Sequence, residues 1–186
     1  MMKIVFITGG ARSGKSSFAE KTAMKSGKEV VYVATAQVLD QEMAMRVNLH
    51  KKRRPKNWKT IEEPKLLSKV LKDIGINEAF IDCNLVLIDC IALLVSNWLP
   101  LEKAEEKSLW SSLRKNLLDE IEAMLDNAKN IRQDVIIVSN EVGSGIVPQY
   151  PLARLYRDLL GEANQLIARA ADEVFFMVSG LPMKIK

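Results

Sequence analysis

The strongest chemical signal in the sequence is a glycine-rich run that ends in a lysine and a serine. An apolar stretch at residues 4–7 precedes it, and a helix-like stretch at 17–25 follows it. A strand, a glycine turn and a helix in this order direct backbone N–H groups at one phosphate. We therefore expect a nucleoside triphosphate site, with Lys15 reaching the β- and γ-phosphates and the Ser16 hydroxyl binding Mg²⁺. The run comprises Gly9, Gly10, Ala11, Arg12, Ser13, Gly14, Lys15 and Ser16.

A second candidate for metal binding is the acid that follows the apolar run at 85–88. A buried strand that ends in a carboxylate delivers it to the edge of a sheet where a phosphate loop also lies, so Asp89 would hold Mg²⁺ directly or through water. Asp82 is the competing carboxylate, but it precedes the run and so belongs to the opposite end of the strand. The predicted metal site therefore consists of Ser16 and Asp89.

The run at 139–145 follows another apolar stretch and contains two glycines. Loops at the carboxyl ends of strands bind ligands in open α/β sheets, and glycine permits close backbone approach. Asn140 and Glu141 are therefore candidates for contact with a substrate or the metal. An ordinary connection between a strand and a helix fits these features equally well.

The positive charge of the chain is concentrated in one segment. Seven cations and no acid lie between residues 46 and 59, and they outnumber the net charge of +4 of the whole chain. Such a run indicates a solvated helix end, a nucleic-acid patch or a clamp on nucleotide phosphates. We favour the clamp, because Trp58 is the one aromatic residue among the charges and stacking platforms for nucleic acid are few. The cations are Arg46, Lys51, Lys52, Arg53, Arg54, Lys56 and Lys59.

His50, the single histidine of the chain, lies inside this basic segment. If residues 39–52 are helical, Glu42, Arg46 and His50 share one face of the helix. Nearby cations disfavour the imidazolium ion and lower the pKa of the ring, and a neutral imidazole is a nucleophile. The same cations would stabilise charge on a departing pyrophosphate. His50 and Lys15 are therefore the candidate catalytic residues.

The remaining sequence alternates between apolar runs and helical patterns. This alternation predicts an α/β fold that contains a P-loop, with a mostly parallel sheet flanked by helices. We expect a single domain over residues 1–186, with a basic, flap-like segment at about 40–64. The predicted strands are 4–7, 29–33, 85–88, 135–138 and 174–178; the predicted helices are 17–25, 39–52, 64–74, 91–98, 102–129 and 152–171.

Composition narrows the class of protein. The chain has 186 residues, 48% of them hydrophobic and 27% charged, as in an ordinary globular domain. The longest apolar stretch, 85–95, is interrupted by Asp89 and is too short to cross a bilayer. Cys83 and Cys90 are expected to be reduced core residues. With no visible secretory signal, these features predict a cytoplasmic protein.

Several runs are more specific than the phosphate loop, and they follow one another in order over nearly the whole chain. In these runs the sequence resembles the bifunctional adenosylcobinamide kinase / adenosylcobinamide-phosphate guanylyltransferase family of cobalamin biosynthesis. The runs N-E-V-G-x-G-I-V-P and R-P-x-x-W carry the resemblance most specifically. The full set is ITGGARSGKS (7–16), VATA (33–36), DQEM (40–43), RRPKNWKT (53–60), SNEVGSGIVP (139–148) and VSGLPMK (178–184).

The resemblance implies two reactions at one nucleotide site. In the first, the γ-phosphoryl group of ATP or GTP passes to the aminopropanol hydroxyl of adenosylcobinamide. In the second, a histidine attacks the α-phosphate of GTP and expels pyrophosphate. Adenosylcobinamide phosphate then captures the GMP, which gives adenosylcobinamide-GDP. The resemblance also implies a homotrimer and assigns the guanine nucleotide to Ala34, Thr35, Ala36, Lys51, Lys52, Arg53, Arg54 and Glu62 or Glu63.

The sequence departs from the family at one position. Relatives often carry two adjacent histidines where this chain has Leu49 and His50. One helical step turns a side chain by about 100°. If the guanylyl acceptor corresponds to His50, both reactions are retained; if it corresponds to Leu49, the chain is a kinase alone. An unrelated P-loop NTPase is the remaining alternative.

Overall fold

The computed structural model describes residues 2–27, 29–38, 40–100 and 106–186. Of Glu42, Arg46, His50, Arg53 and Lys107 it describes the backbone only. The strands are β1 (Ile4–Gly9), β2 (Val30–Ala34), β3 (Lys59–Glu62), β4 (Leu85–Asp89), β5 (Asp134–Val138), β6 (Glu173–Val178) and β7 (Leu181–Lys184). The helices are α1 (Lys15–Lys25), α2 (Gln41–Arg53), α3 (Leu67–Ile76), α4 (Ile91–Trp98), α5 (Trp110–Asn130) and α6 (Pro151–Ala170).

These strands form one sheet in the order β3-β2-β4-β5-β1-β6-β7. Strands β1 to β6 pair in parallel, and β7 pairs with β6 in the antiparallel direction. The sheet is mostly parallel and flanked by helices, which confirms the predicted fold class. Its register aligns Ala34 with Asp89 and Asp89 with Val138, so three strands end side by side at one edge.

The apolar core fills both faces of the sheet. Because strand side chains alternate, Phe6 and Ile88 face the layer made by α3, α4, α5 and α6, whereas Ile7 and Leu87 face α1 and Trp58. Continuous apolar strands such as β4 are therefore buried on both sides, as parallel sheets require. Within the described residues, no helix combines the length and the apolar character that crossing a membrane requires.

Two edge strands were missed by the sequence analysis for physical reasons. Strand β3 (Lys59–Glu62) is mostly exposed and carries one apolar residue, Ile61. Strand β7 (Leu181–Lys184) contains a proline and is exposed throughout. Both strands lie at the edges of the sheet. An edge strand is hydrogen-bonded on one side only and is partly exposed, so its sequence need not be a run of apolar residues.

The predicted flap-like segment at 40–64 has regular secondary structure, because it contains both α2 and β3. Asp40 caps α2, since its carboxylate accepts from the backbone N–H of Met43 at 2.7 Å. Helix α5 begins at Trp110, later than predicted, after a 3₁₀ turn at Lys107–Leu109. The predicted helical residues 102–105 lie outside the described residues.

Candidate active site

The phosphate loop connects β1 to α1 at the carboxyl edge of the sheet. Arg12 and Gly14 take left-handed backbone conformations, with φ of 56° and 93°. The turn between β6 and β7 braces the loop, because the N–H of Gly180 donates to the carbonyl of Ser13 at 3.0 Å. The loop and the start of α1, whose first N–H groups have no partner within the helix, line a cavity, as expected of a phosphate site.

Lys15 is the first residue of α1 and is buried at this surface. Its Nζ donates to the carbonyl oxygen of Gly10 at 2.7 Å. Burial lowers the pKa of Lys15, and the charges of Cys90 and Asp89 partly oppose that shift. A phosphate oxygen at this point would favour the charged ammonium, so the binding of an anion and the charge of Lys15 support each other.

Asp89 ends β4 and lies beside the loop. Its Oδ1 accepts from Ser16 Oγ at 3.3 Å, and its Oδ2 accepts from the Tyr32 hydroxyl at 2.9 Å. Burial is the main cause that raises the pKa of Tyr32, so this hydroxyl stays a donor. Asp82, the competing carboxylate of the sequence analysis, precedes β4 and lies at the other end of that strand.

This pair of oxygens has the chemistry of a magnesium site. A hydroxyl and a carboxylate are hard oxygen donors, and Mg²⁺ in phosphate sites takes one or two protein oxygens together with phosphates and water. Among the described residues, no group of three or more His, Cys, Asp or Glu side chains forms a complete protein cage for a metal. The donor set at Ser16 and Asp89 therefore fits a metal that is held jointly with a nucleotide.

A cavity of about 240 Å³ opens beside the loop, between the ends of the strands and α2. Ser16, Asp89 and Asn140 form part of its polar wall. Its other walls come from the ends of β2 and β3, from the residues that follow β2, from α4 and from α2. They are Tyr32, Ala34, Ala36, Val38, Met43, Val47, Lys51, Arg54, Glu62, Cys90 and Leu93.

The position of His50 follows from the helix that carries it. Val47 and Lys51, three residues before and one residue after His50, both line the cavity. Leu49, one step from His50, is 56% exposed and does not line it. The backbone thus puts position 50 on the cavity side of α2 and turns position 49 toward solvent. The His50 side chain lies outside the described residues, so its catalytic role stays a prediction.

The basic segment contributes two described side chains to the cavity, those of Lys51 and Arg54. Lys52 is exposed, and the Arg53 side chain lies outside the described residues. Arg54 packs its guanidinium over the Tyr32 ring, 3.3 Å from the ring centroid, and beside the Glu20 carboxylate.

The two candidate acids after β3 have different surroundings. Glu62 lines the cavity and accepts from Lys51 Nζ at 2.9 Å. Glu63 accepts from the backbone N–H groups of Lys65 and Leu66 at 2.8 and 2.9 Å. The structure therefore brings Glu62 to the predicted nucleotide site and uses the Glu63 carboxylate in the turn before α3.

The three residues of the segment Ala34-Thr35-Ala36 also differ in their surroundings. Ala34 and Ala36 line the cavity, whereas Thr35 is fully buried. The Thr35 hydroxyl donates to the carbonyl of Cys90 at 2.7 Å and accepts from its N–H at 2.8 Å. Thr35 thus joins the ends of β2 and β4.

Cys90 and Cys83 are free thiols, and burial raises the pKa of Cys90 to about 12.

The loop after β5 brings Asn140 to the cavity but not Glu141. The carbonyl of Asn140 accepts from Asn164 Nδ2 of α6 at 2.9 Å, which holds the loop against the helix. Glu141 instead accepts from the N–H of Gly143 within the loop. Of the two candidates from the sequence, Asn140 is the one that reaches the site.

Sequence reasoning missed Tyr32 and Glu20. Tyr32 sits in an apolar strand and reads as a core residue, and Glu20 reads as one more polar position of α1. Tyr32 comes to Asp89 because β2 pairs with β4, and Glu20 comes to Arg54 because the residue that ends α2 folds back to α1. No local pattern carries that information.

Two solved structures share the fold over most of this chain. The RadB recombinase has a TM-score of 0.52 and 19% identity, and the match covers 94% of this chain and 73% of that chain. An ATPase from the type III secretion system of pathogenic bacteria has a TM-score of 0.52 and 15% identity, and covers 98% of this chain and 56% of that chain. At these identities the likeness supports the fold alone.

Sequence relatives are much closer and match from end to end. The "Bifunctional adenosylcobalamin biosynthesis protein CobU" of Escherichia coli K12 is 38% identical over 98% of this chain and 99% of its own length. The CobU of Salmonella typhimurium is 39% identical with the same coverage. The corresponding protein CobP of Pseudomonas aeruginosa is 41% identical over 97% of this chain and 95% of its own length.

A family description covers the same span. The CobU family, cobinamide kinase / cobinamide phosphate guanyltransferase, matches residues 5–185, which include the phosphate loop, α2 and the turn between β6 and β7. This match confirms the resemblance read from the sequence, and with it the enzyme class. The chain belongs to the cobinamide kinase / cobinamide phosphate guanyltransferase family.

Proposed function

We propose that this chain phosphorylates the aminopropanol hydroxyl of adenosylcobinamide with ATP or GTP and then transfers GMP from GTP to the product. The final products are adenosylcobinamide-GDP and pyrophosphate. One observation carries the proposal beyond the family: the cavity beside α2 adjoins a second cavity lined by the phosphate loop, and the two share Ser16, Asp89, Cys90 and Asn140 in their walls. A single nucleotide site can therefore serve both reactions.

In the kinase step, the hydroxyl oxygen of the acceptor attacks the γ-phosphorus. The new P–O bond forms as the bond to the β-phosphate oxygen breaks, the nucleoside diphosphate leaves with that electron pair, and the hydroxyl proton is released to solvent. Loop N–H groups and Lys15 hold the β- and γ-phosphates and offset the charge that develops on them. Ser16 and Asp89 would hold Mg²⁺, which when bound neutralises phosphate charge.

In the transfer step, the neutral imidazole of His50 attacks the α-phosphorus of GTP. A P–N bond forms, the bond between the α-phosphorus and its bridging oxygen breaks, and pyrophosphate leaves. A phosphate oxygen of adenosylcobinamide phosphate then attacks the same phosphorus and displaces the imidazole. Lys51, which lines the cavity, and the phosphate loop favour the departing pyrophosphate by their charge and donors.

Helix geometry supports His50 over the position beside it as the acceptor of GMP. Residues that line the cavity recur on α2 at Met43, Val47 and Lys51. At about 100° per residue, position 50 falls on the same side of the helix as this set, and position 49 falls on the other side. The loss of the second histidine at Leu49 is therefore compatible with retained guanylyl transfer.

The experiment that tests the proposal is incubation with GTP labelled at the α-phosphate and Mg²⁺, followed by denaturation. We expect a covalent label that is lost in acid and kept in base, as a phosphoramidate is. His50→Ala should abolish the label, whereas the matched variant Leu49→Ala on the solvent side of α2 should retain it. A wild-type chain that takes up no label but phosphorylates adenosylcobinamide would be a kinase alone.

The sequence also predicts the oligomeric state of the protein, its location in the cell and whether it binds nucleic acid. A homotrimer and a cytoplasmic location stay predictions. Binding to nucleic acid is disfavoured because Trp58, the one aromatic residue among the charges, is buried against Tyr32 and offers no stacking surface to a base. Light scattering of the purified chain tests the trimer, with a monomer as the contrary result.

A further inference from the structure

We propose that Tyr32 and Arg54 are positioning residues that join the magnesium carboxylate, Asp89, to the end of helix α2. The inference rests on the proposed function, because it assumes that Asp89 holds the metal and that α2 presents the guanylyl acceptor. It adds a physical link between the metal site and the helix that carries His50.

The first part of the link fixes the carboxylate. Tyr32 donates to one oxygen of Asp89 at 2.9 Å and Ser16 donates to the other at 3.3 Å. Two donors on opposite oxygens define the rotation of the carboxylate about its Cβ–Cγ bond. Tyr32 is 2% exposed, so water cannot easily replace its hydroxyl. The Tyr32 hydroxyl therefore orients the Asp89 carboxylate without itself binding the metal.

The second part of the link holds the tyrosine. The Arg54 guanidinium carbon lies 3.3 Å from the centroid of the Tyr32 ring, and Arg54 Nε lies 4.0 Å from Glu20 Oε1. The side chains of Arg54 and Glu20 are only 7% and 4% exposed. A guanidinium buried to this extent depends on its carboxylate and ring partners, and the removal of either leaves a costly charge.

The third part of the link is the chain itself. Arg54 is the C-cap of α2, and Pro55 prevents the helix from continuing. The turn then closes through the N–H of Trp58, which donates to the carbonyl of Pro55 at 3.2 Å. The Trp58 ring stacks on Tyr32 with centroids 6.4 Å apart. The R-P-x-x-W run thus encloses the Tyr32 ring, while Arg54 Nε and Nη1 have no hydrogen-bond partner among the described residues.

The consequence is that α2 and the metal carboxylate are not independent. A shift of the C-terminal end of α2, four residues after His50, displaces the guanidinium from the ring that holds Asp89. Loss of the Tyr32 hydroxyl should therefore weaken metal binding. Loss of the Arg54 guanidinium should weaken it through the same tyrosine and also loosen α2.

The first test measures the Mg²⁺ concentration that half-saturates binding of a fluorescent GTP analogue. Tyr32→Phe, which keeps the ring and removes the hydroxyl, should raise this concentration about tenfold. Its nucleotide affinity in EDTA should stay near that of the wild type, whereas its thermal midpoint should fall because a buried hydrogen bond to a carboxylate is lost. Tyr156→Phe is the control, because it also removes a tyrosine hydroxyl that donates a hydrogen bond, in this case to the carbonyl of Ala92.

Asp89→Asn separates this inference from the proposed function on which it rests. If Asp89→Asn leaves the Mg²⁺ dependence unchanged, the proposed metal site is wrong. If Asp89→Asn shifts it and Tyr32→Phe does not, the metal site stands and the positioning role of Tyr32 is overturned. A merely structural tyrosine would lower the thermal midpoint without moving the Mg²⁺ dependence.

The second test addresses Arg54. Arg54→Gln should raise the half-saturating Mg²⁺ concentration and speed hydrogen exchange of the amides at 41–53, with Arg54→Lys in between. Combined with Tyr32→Phe, it should add little to the Mg²⁺ shift, because both changes break one link. If Arg54→Gln instead lowers the affinity for nucleotide in EDTA and leaves the Mg²⁺ dependence and α2 exchange unchanged, Arg54 is a direct phosphate ligand and the proposal fails.

Discussion

Lys51 of α2 and Glu62 at the end of β3 meet across the rim of the cavity, with 2.9 Å between Nζ and Oε1. Both side chains are about half exposed, so the pair contributes little to stability and costs little to open. When a nucleotide enters the cavity, the Lys51 ammonium can therefore pair with one of its phosphates. The Glu62 carboxylate is then free to accept a hydrogen bond from a hydroxyl or amine of the nucleoside.

This relationship predicts that the two acids after β3 behave differently. Glu62→Gln should raise the KM for GTP by about tenfold, since a hydrogen bond to a charged group is lost, with little change in the free energy of unfolding. Glu63→Gln should leave that KM unchanged and cost about 1 kcal/mol of stability, because its carboxylate accepts from two backbone N–H groups. Steady-state kinetics and urea unfolding of both variants check this, and equal effects on KM would contradict it.

The orientation of α2 predicts that a histidine cannot be moved by one position. In the double variant His50→Ala with Leu49→His, the new ring starts from a position that is 56% exposed and turned from the cavity. We expect no guanylyl label on this variant, and normal labelling of the single variant Leu49→His. Labelling from GTP checks both, and recovery of label in the double variant would show that α2 presents position 49.

A pH dependence of stability is expected from the sheet edge at Glu173. Hydrogen bonds to Lys184 and Lys3 lower the pKa of Glu173 from its usual 4.5, and the bond to Lys184 has the larger effect. The two pairs measure 2.5 and 2.7 Å. Because the folded pKa is depressed, the stabilisation is present above about pH 4.5 and is lost as the pH falls through the folded value.

The measurement is urea unfolding of wild type and Glu173→Gln from neutral pH into the acid range. The variant should lose about 1 kcal/mol at pH 7, as expected for an ion pair near the surface, and the difference should vanish in strong acid. A gap between the two proteins that persists or widens at low pH would contradict the assigned sign.

The close packing of the phosphate loop predicts a cost for enlarging Gly9. A Cβ at this position would lie 2.6 Å from the carbonyl oxygen of Met177, and Gly9 has a φ of 150°. Gly9→Ala should therefore destabilise the fold by about 2–3 kcal/mol. Gly161→Ala in α6, where a Cβ meets nothing within 4 Å, should instead gain up to about 1 kcal/mol. Thermal unfolding of both variants checks the contrast.

The parts that local sequence encodes were predicted well. The alternation of buried strands with helices follows from runs of adjacent residues, and the structure confirms the predicted fold. The predicted phosphate loop lies between β1 and α1, and Asp89 ends β4, as the same local runs suggest. Strand β3 was missed because an exposed edge strand needs no apolar run. Its register with β2 is nevertheless what carries Glu62 to the cavity.

The contacts that depend on distant residues could not be predicted. The hydroxyl of Tyr32 reaches Asp89 only because β2 and β4 are neighbours, and Arg54 reaches Glu20 only because the turn after α2 returns to α1. From the sequence, Arg54 was interpreted as one of several phosphate clamps. Its burial on a tyrosine ring is a tertiary property that charge patterning does not contain.

The proposed function requires position 50 of α2 to accept GMP beside the phosphate loop. The most direct measurement is mass spectrometry of peptides from the chain after reaction with GTP and Mg²⁺, with digestion under basic conditions that preserve a phosphoramidate. We expect one added GMP on His50 in the peptide that spans 47–51. GMP on Lys51 or on any other residue, with His50 unmodified, would contradict it.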